Sequence, residues 1–405
     1  MDKKLTLKLN VGYGLVQGFY WMIYCCVVSY ASAYLTGRGF STTALGLILA
    51  MGYLIATISQ QAISSATDRA KKISVLEVMD IVLVLLIVSL LILLTTKGTT
   101  FITVVIFVAA CTLINVLQPL ANALNFYMER TECTMNYGAC RSMGSLFFSV
   151  ISIIVGRYMS EVSINAAPVA AIIVCLLMLL DQFYIGICIK GKVRPKAENI
   201  ENLREEKVSA LAELLQFVRD YRMFFVFLLG TIGVFFGHVV INNFFYQIVE
   251  NVGGNTADLG KVNSLQAIVE LPTMMFSAQI VKKIKIKHVM TASCIFFIVK
   301  SFLTMSATSI GMIYFSVLFQ SVAFAAFIPA SVIFVNELME EKDAVKGQAY
   351  LYSAMAIANF LSCVISGKLF EIMGVYGTLL VATIVTALGA VIAIFGLFRI
   401  KSKYL

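Results

Sequence analysis

The stretch NYGACRSMGSLFFSVISIIVGRYM, residues 136–159, carries only two charged side chains, Arg141 and Arg157. Its length matches the roughly 20 apolar residues with which a helix crosses a hydrocarbon layer about 30 Å thick. Similar segments recur along the 405-residue chain, in which 60% of the residues are hydrophobic and 13% are charged. This composition is too apolar for one soluble core, and it indicates a membrane protein built of α-helices.

Windows of about 20 apolar residues predict twelve transmembrane helices. We expect an all-α membrane protein in which these helices form two six-helix bundles. The predicted spans are 11–36, 42–66, 73–95, 99–127, 138–160, 165–189, 222–248, 257–281, 288–307, 309–336, 345–370 and 374–398.

One long polar segment, residues 190–222, separates six spans from six. We therefore predict an N-terminal bundle at 1–189, a linker at 190–221 and a C-terminal bundle at 222–405. Within the linker, Leu211, Leu214, Leu215 and Val218 recur at helical spacing among charged residues. This pattern predicts a short amphipathic helix on the membrane surface.

Lysine and arginine are distributed unevenly between the two sides of the predicted topology. The side with both termini holds 24 of the 31 basic residues and the opposite side holds five, while Arg141 and Lys300 fall inside spans. The positive-inside rule then predicts cytoplasmic termini in a multi-pass protein of the cell membrane. The net charge of +9 reflects this topology, and we expect no nucleic-acid partner because the basic residues are scattered over short connections.

Motifs of enzymes and of cofactor or metal sites are missing from the sequence. Nine cysteines lie mostly in predicted spans without a Cys-x-x-Cys pair, so they read as buried thiols. The chain has two histidines, no HExxH motif and no Gly-rich phosphate loop, which argues against an enzyme. We expect no cofactor, no metal and a monomer in the lipid bilayer.

The two halves of the sequence resemble each other. GFSTTALG ends at Gly46 and GGNTADLG ends at Gly260, and each is followed 22 residues later by a basic segment, DRAKK or KKIKIK. The pattern YLTGRGFSTTALGLILA followed by SSATDRAKK resembles the major facilitator superfamily, whose signature in this loop is Gly-x-x-x-Asp-Arg-x-Gly-Arg-Arg. The resemblance implies two repeated bundles that alternate access to a central site. It also implies a gating role for Asp68 and Arg69, although both are equally compatible with ordinary charges at a helix end.

Arg141 is a charge within a predicted span, which costs roughly 2.5–3.5 kcal/mol unless a partner or a watery cavity receives it. The nearest acid along the chain is Glu129, across a short connection. Alternatively, the side chain snorkels to the lipid headgroups. YGACRSMGSLFF resembles the Gly-x-x-Arg-x-x-Gly motif of the lactose permease-like oligosaccharide/proton symporters. The resemblance implies a sugar-binding Arg141, with Phe148 as its aromatic companion and Asn125 where that branch has an acid.

The second half contains a predicted charge pair. SLQAIVELPTMMF, with Glu270 before Pro272, resembles the eighth-span pattern of the same branch, and Lys300 falls where that branch has a cation. We expect Glu270 and Lys300 to couple transport to protons, or alternatively to form a static pair. Further candidates for the cavity or the proton path are His238, Asn242, Asn243 and Asp181.

The sequence departs from that branch in the tenth span, where Gln320 and Ala323 replace its histidine and glutamate. We predict a secondary transporter that moves a small solute, sugar or nucleoside-like, with a proton or another coupling ion. Uniport, export of amphiphiles and a transporter-like sensor without transport remain open.

Overall fold

The computed structural model describes residues 3–69, 74–193 and 210–400, except for the side chains of residues 61–69, 210–214, 278, 341 and 342. Within these residues the chain is helical and contains no strand. The helices are α1 (Lys3–Tyr24), α2 (Ala31–Gly37), α3 (Thr42–Arg69), α4 (Val75–Thr95), α5 (Phe101–Glu129), α6 (Tyr137–Glu161), α7 (Ala166–Ile189), α8 (Ala210–Asp220), α9 (Arg222–Asn243), α10 (Phe245–Asn251), α11 (Thr256–Met275), α12 (Ser277–Lys283), α13 (Ile286–Met305), α14 (Ile310–Leu318), α15 (Gln320–Leu338) and α16 (Glu341–Arg399).

These helices form the twelve predicted spans. A π-helical turn, Cys25–Ser29, joins α1 to α2 within the first span. Ten stretches of the described residues are long and apolar enough to cross a membrane, and one of them, Asp343–Arg399, is 57 residues long. It divides at Gly374, whose φ of 66° is open to glycine but strained for other residues. Its two parts raise the number of spans from ten to eleven, and α11, which is not among the ten stretches, is the twelfth. The predicted fold class is therefore confirmed.

Capping residues fix where two of the spans begin. Ser74 accepts a hydrogen bond from the backbone N–H of Glu77, while the Glu77 carboxylate accepts one from the Ser74 N–H. Asn255 and Asp258 form the same reciprocal cap at the start of α11. Such caps satisfy N–H groups that the first helical turn leaves unpaired, so both helices have defined starting points.

The N-terminal bundle packs around its first span, because α1 contacts α5, α6 and α7. In the C-terminal bundle α9 packs along α16, and α13 packs between α15 and α16. One apolar core fills the N-terminal bundle and continues into the adjoining ends of α9, α10 and α11, while a second core lies within the C-terminal bundle. The two bundles are therefore joined by a shared apolar core.

Two pairs of glycines bring the bundles into backbone contact on the side opposite the start of α1 and the end of α16. A methyl group on Gly156 of α6 would lie 3.0 Å from Cα of Gly260 in α11. A methyl group on Gly367 of α16 would lie 3.2 Å from Cα of Gly46 in α3. Both distances are too short for an ordinary carbon contact. Only glycine permits this approach, and we call the two contacts together the glycine seam.

Polar contacts flank the glycine seam. The hydroxyls of Ser149 and Ser264 lie 2.6 Å apart, between α6 and α11. Nε2 of Gln247 donates to Oγ1 of Thr36 at 2.8 Å. Backbone contact and hydrogen bonds together close the molecule on this side.

Candidate substrate and coupling site

An arginine stacked on a tryptophan forms the part of the site that belongs to the N-terminal bundle. The guanidinium carbon of Arg141 in α6 lies 4.4 Å from the ring centroid of Trp21 in α1. Trp21 is packed against two further rings, those of Tyr20 and Tyr24, each with its centroid 5.2 Å away. Cation–π attraction to the indole face holds the guanidinium in place. The charge predicted inside the span therefore has an aromatic ring as its partner, where an acid was expected.

The guanidinium keeps its hydrogen-bonding capacity. Among the described residues, Arg141 has no hydrogen-bond or ion-pair partner, although a guanidinium carries five N–H donors. The side chain is half-buried, so it is within reach of a solute. Its free donors are suited to hydroxyl, carbonyl or carboxylate oxygens.

The two glycines around Arg141 have different surroundings. A methyl group on Gly144 would clash with Cδ1 of Trp21 and would lie 3.1 Å from Nη1 of Arg141. A methyl group on Gly138, in the first turn of α6, would have no neighbour within 4 Å among the described residues. The second glycine of the Gly-x-x-Arg-x-x-Gly motif therefore makes room for the tryptophan ring.

A chain of polar side chains forms the part of the site in the C-terminal bundle. Its centre is Lys300 of α13, which is 1% exposed. Nζ of Lys300 donates to Oε1 of Gln320 at 2.6 Å and to Oε1 of Gln266 at 3.3 Å. Nε2 of Gln320 in turn donates to Oε1 of Glu270 at 2.8 Å. The predicted pair of Glu270 and Lys300 is thus bridged by an amide.

The same chain continues in the other direction toward α9. Nε2 of Gln266 donates to Oδ1 of Asn242 at 3.2 Å, and Nδ2 of Asn242 lies 2.9 Å from Nε2 of His238. The imidazole is buried and stacks on Phe324, with the ring centroids 4.8 Å apart. Because an amide N–H can only donate, the imidazole nitrogen that faces it accepts. Hydrogen bonds therefore run outward from Lys300 to acceptors at both ends, and we call these six side chains the lysine network.

Arg141 lies on α6, which packs against α11, the helix that carries Glu270 and Gln266 of the lysine network. Glu270 interacts electrostatically with Lys300 in its own bundle and with Arg141 in the other. Glu270, Gln266 and Asn242 are half-buried, whereas the lysine and Gln320 are each 1% exposed. The half-buried members offer a solute both donors and acceptors, and the buried members hold them in position.

Three residues predicted around Arg141 lie elsewhere. Glu129 is exposed near the end of α5, where Oε1 accepts a hydrogen bond of 3.0 Å from Nδ2 of Asn125. The expected pairing of Arg141 with Glu129 is therefore wrong, because the glutamate bonds within its own helix. Phe148 packs against the apolar core. The aromatic ring over the guanidinium is Trp21, in the place that the family resemblance gave to Phe148.

Among the described residues, Asn243 and Asp181 form no hydrogen bond to Arg141 or to the lysine network. Asn243 accepts from the Tyr53 hydroxyl at 3.2 Å and donates to Sγ of Cys363 at 3.1 Å, so it joins the bundles. Asp181 lies against Gly12, and its buried Oδ2 atom has no hydrogen-bond partner within the described part of the chain. Asp68 and Arg69 end α3, but their side chains lie outside the described residues.

Three members of the site, Trp21, Gln266 and Gln320, were not predicted as site residues. Trp21 is the only tryptophan of the chain, and its position in the first span was the one signal that sequence offered. Gln266 carries no charge and has no motif. Within the described part of the chain, no group of three or more His, Cys, Asp or Glu side chains could hold a metal ion.

Comparisons with known proteins agree with this architecture. The profile of the MFS_1 like family matches residues 13–381, so the chain belongs to this family and is a multi-pass membrane transporter of the major facilitator type. It is 21% identical over 408 residues to the uncharacterized transporter YwbF of Bacillus subtilis (strain 168), covering 98% of this chain and 97% of the relative.

Two solved transporters share the fold. The crystal structure of the nucleoside transporter NupG superimposes with a TM-score of 0.75 at 16% identity, covering 99% of this chain and all of the other. A bacterial homologue of the human lysosomal transporter Spinster, in an inward-facing and unoccupied conformation, gives a TM-score of 0.73 at 10% identity, covering 99% of this chain and 98% of the other. The lactose permease-like branch stays a prediction.

Proposed function

We propose that this transporter moves a small hydroxylated solute with a flat ring, of nucleoside or sugar type, and that it couples transport to protons. The observation that carries the proposal is the arrangement of Arg141 on Trp21 opposite the Glu270 end of the lysine network. The N-terminal bundle contributes an aromatic surface with unused donors, and the C-terminal bundle contributes a carboxylate within electrostatic range of the arginine, together with amides. A solute held between them would contact both bundles.

Recognition follows from the side-chain chemistry. The guanidinium donates to hydroxyl or carbonyl oxygens, and indole faces bind flat rings. Gln266 and Asn242 are half-buried amides, which can donate and accept at once. The fold shared with NupG, a nucleoside transporter, supports the nucleoside alternative.

Coupling is assigned to Glu270. Its carboxylate accepts from Gln320 and lies within electrostatic range of both Lys300 and Arg141. Protonation would remove the charge that attracts these cations, and would weaken the attraction across the bundle interface. A proton can drive transport only if it binds the two conformations with different affinity, and a carboxylate between two mobile bundles meets that requirement.

The test is uptake by the purified protein in proteoliposomes. Labelled uridine, adenosine and lactose are offered with and without an imposed pH gradient. We expect accumulation of at least one solute when the gradient is present, and loss of its binding in Arg141→Gln. The variant Glu270→Gln should still exchange solute across the membrane but should no longer accumulate it, since exchange needs no net proton movement.

A matched control is Glu250→Gln, which neutralises an exposed carboxylate bonded to the Tyr246 hydroxyl. It should retain gradient-driven accumulation. If Glu270→Gln also accumulates solute undiminished, the coupling role is refuted. Uptake of every solute without any response to pH would establish a uniporter, and absence of uptake for all three together with absence of binding would refute the proposed substrate class.

A further inference from the structure

A cavity at the edge of the C-terminal bundle lies apart from the substrate site. Its volume is about 570 Å³, and it is lined by residues 220–224, Leu338, Phe395, Arg399 and Ile400. These residues lie near the ends of α8, α15 and α16 or at the start of α9, so the cavity lies on the face at which α1 begins and α16 ends.

Positive charge dominates the polar part of the cavity. Arg222 and Arg399 are exposed, and among the described residues neither has a hydrogen-bond or ion-pair partner. The guanidinium of Arg399 lies 5.4 Å from the ring centroid of Phe395. Nζ of Lys287 donates to the carbonyl of Ile400 at 3.0 Å, which places a third cation at the rim. Asp220 is the acid of the lining, and Asp343 accepts from the Tyr221 hydroxyl beside it, whereas both arginines keep unused donors that can bind an anion.

The rest of the lining is apolar. Met223, Phe224, Leu338 and Phe395 contribute to the wall, and Phe395 is 51% exposed. Because the helices continue from here into the hydrocarbon layer, an apolar chain can extend from the cavity along their surface. Charged and apolar groups at a membrane surface match an amphiphile with an anionic head, not a free ion.

The walls are held by packing and hydrogen bonds. Phe217 of α8 is buried against Tyr221 and Tyr350, with ring centroids 4.8 and 5.3 Å away. The Tyr221 hydroxyl donates to Oδ2 of Asp343 at 3.0 Å. Burial and this hydrogen bond raise the pKa of Tyr221 to about 12, so the hydroxyl remains a donor at ordinary pH. The amphipathic helix and Tyr221 are thus fixed against α16, which holds this wall of the cavity in place.

We propose that an anionic glycerophospholipid binds in this cavity, with its phosphate between Arg222 and Arg399 and one acyl chain along Phe395. Basic pockets at the ends of transmembrane helices are suited to such headgroups, and each nearby lysine or arginine adds about 1 kcal/mol of attraction. The proposal does not depend on the substrate of the transporter.

Native mass spectrometry of the full-length protein in detergent tests the proposal. Dioleoyl phosphatidylglycerol and dioleoyl phosphatidylcholine are titrated separately, and the bound lipid is read from the mass. We expect preferential retention of phosphatidylglycerol. The double variant Arg222→Gln with Arg399→Gln should weaken it by roughly fivefold for each arginine removed.

The matched control is Lys282→Gln with Lys283→Gln, which removes equal charge at exposed positions outside the cavity. It should leave retention almost unchanged, and equal losses in the two double variants would overturn the proposal because they would show general electrostatic attraction. Unfolding curves establish that the variants fold. The parent protein supplies independent readouts: equal retention of both lipids, or displacement of phosphatidylglycerol by millimolar inorganic phosphate, would also overturn a phospholipid site.

Discussion

Gly144→Ala should dislodge the tryptophan ring from the arginine of the site. The added methyl group would clash with Cδ1 of Trp21, so the ring has to move by about 1 Å to regain an ordinary carbon contact. The stacking of Arg141 on the ring is worth about 0.5–2 kcal/mol. If the stacking positions the guanidinium for a solute, its loss should weaken binding by about two- to thirtyfold.

The assay does not require a known substrate. Trp21 is the only tryptophan of the chain, so intrinsic fluorescence excited at the red edge reports on this ring alone. We expect Gly144→Ala to change its emission spectrum and its accessibility to acrylamide. Arg141→Gln should change the emission as well, because it removes the cation from the ring face.

Gly138→Ala is a closely matched control. It makes the same substitution at the other glycine of the motif, where a methyl group would have no neighbour within 4 Å. Its fluorescence should match that of the parent protein. If Gly144→Ala also matches the parent in emission and quenching, the packing of the ring against the glycine is refuted, and with it the explanation of the motif.

Two further perturbations probe the rest of the molecule. Gln320→Leu removes the amide that bridges Glu270 to the buried lysine. Because each hydrogen bond to a charged group is worth about 1.5–3 kcal/mol, we expect thermal unfolding in detergent at a clearly lower temperature. An unchanged unfolding midpoint would contradict the bridge. Gly156→Leu should separate the bundles at the glycine seam and expose cysteines introduced beside it to thiol reagents. Gly186→Leu should leave them protected, because a methyl group there has no neighbour within 4 Å among the described residues. Equal labelling of the two variants would refute the glycine seam.

Hydropathy was sufficient for the fold because the membrane restricts the possible structures. Every span has to be helical and about 20 residues long, so counting apolar windows gives the number of helices. The division at Gly374 was also readable, since the windows ending at 370 and starting at 374 leave only a tight connection. Charge inside a span then pointed to Arg141 and Lys300, which cost free energy unless they are functional or paired.

Partners of these charges were harder to predict. Each span carries apolar residues on all of its faces, so the sequence does not show which face of α6 is turned toward the other helices. Nearness along the chain favoured Glu129 for Arg141, but the tryptophan that receives the charge lies 120 residues earlier. Gln266 and Gln320 were not predicted as site residues because their amides are neutral, and a search for charged residues inside spans does not detect them. Their role depends on the packing of α11, α13 and α15.

The glycine seam bears on how readily the bundles can part. Glycine loses no side-chain rotamers on packing, whereas long side chains each lose up to about 2 kcal/mol of conformational freedom. Because Gly46, Gly156, Gly260 and Gly367 meet through their backbones, separation at these crossings releases almost no frozen rotamers and renewed contact has none to immobilise. The surface can therefore be close-fitting and still reseal without an entropic penalty, which suits the alternating access that the family resemblance implies.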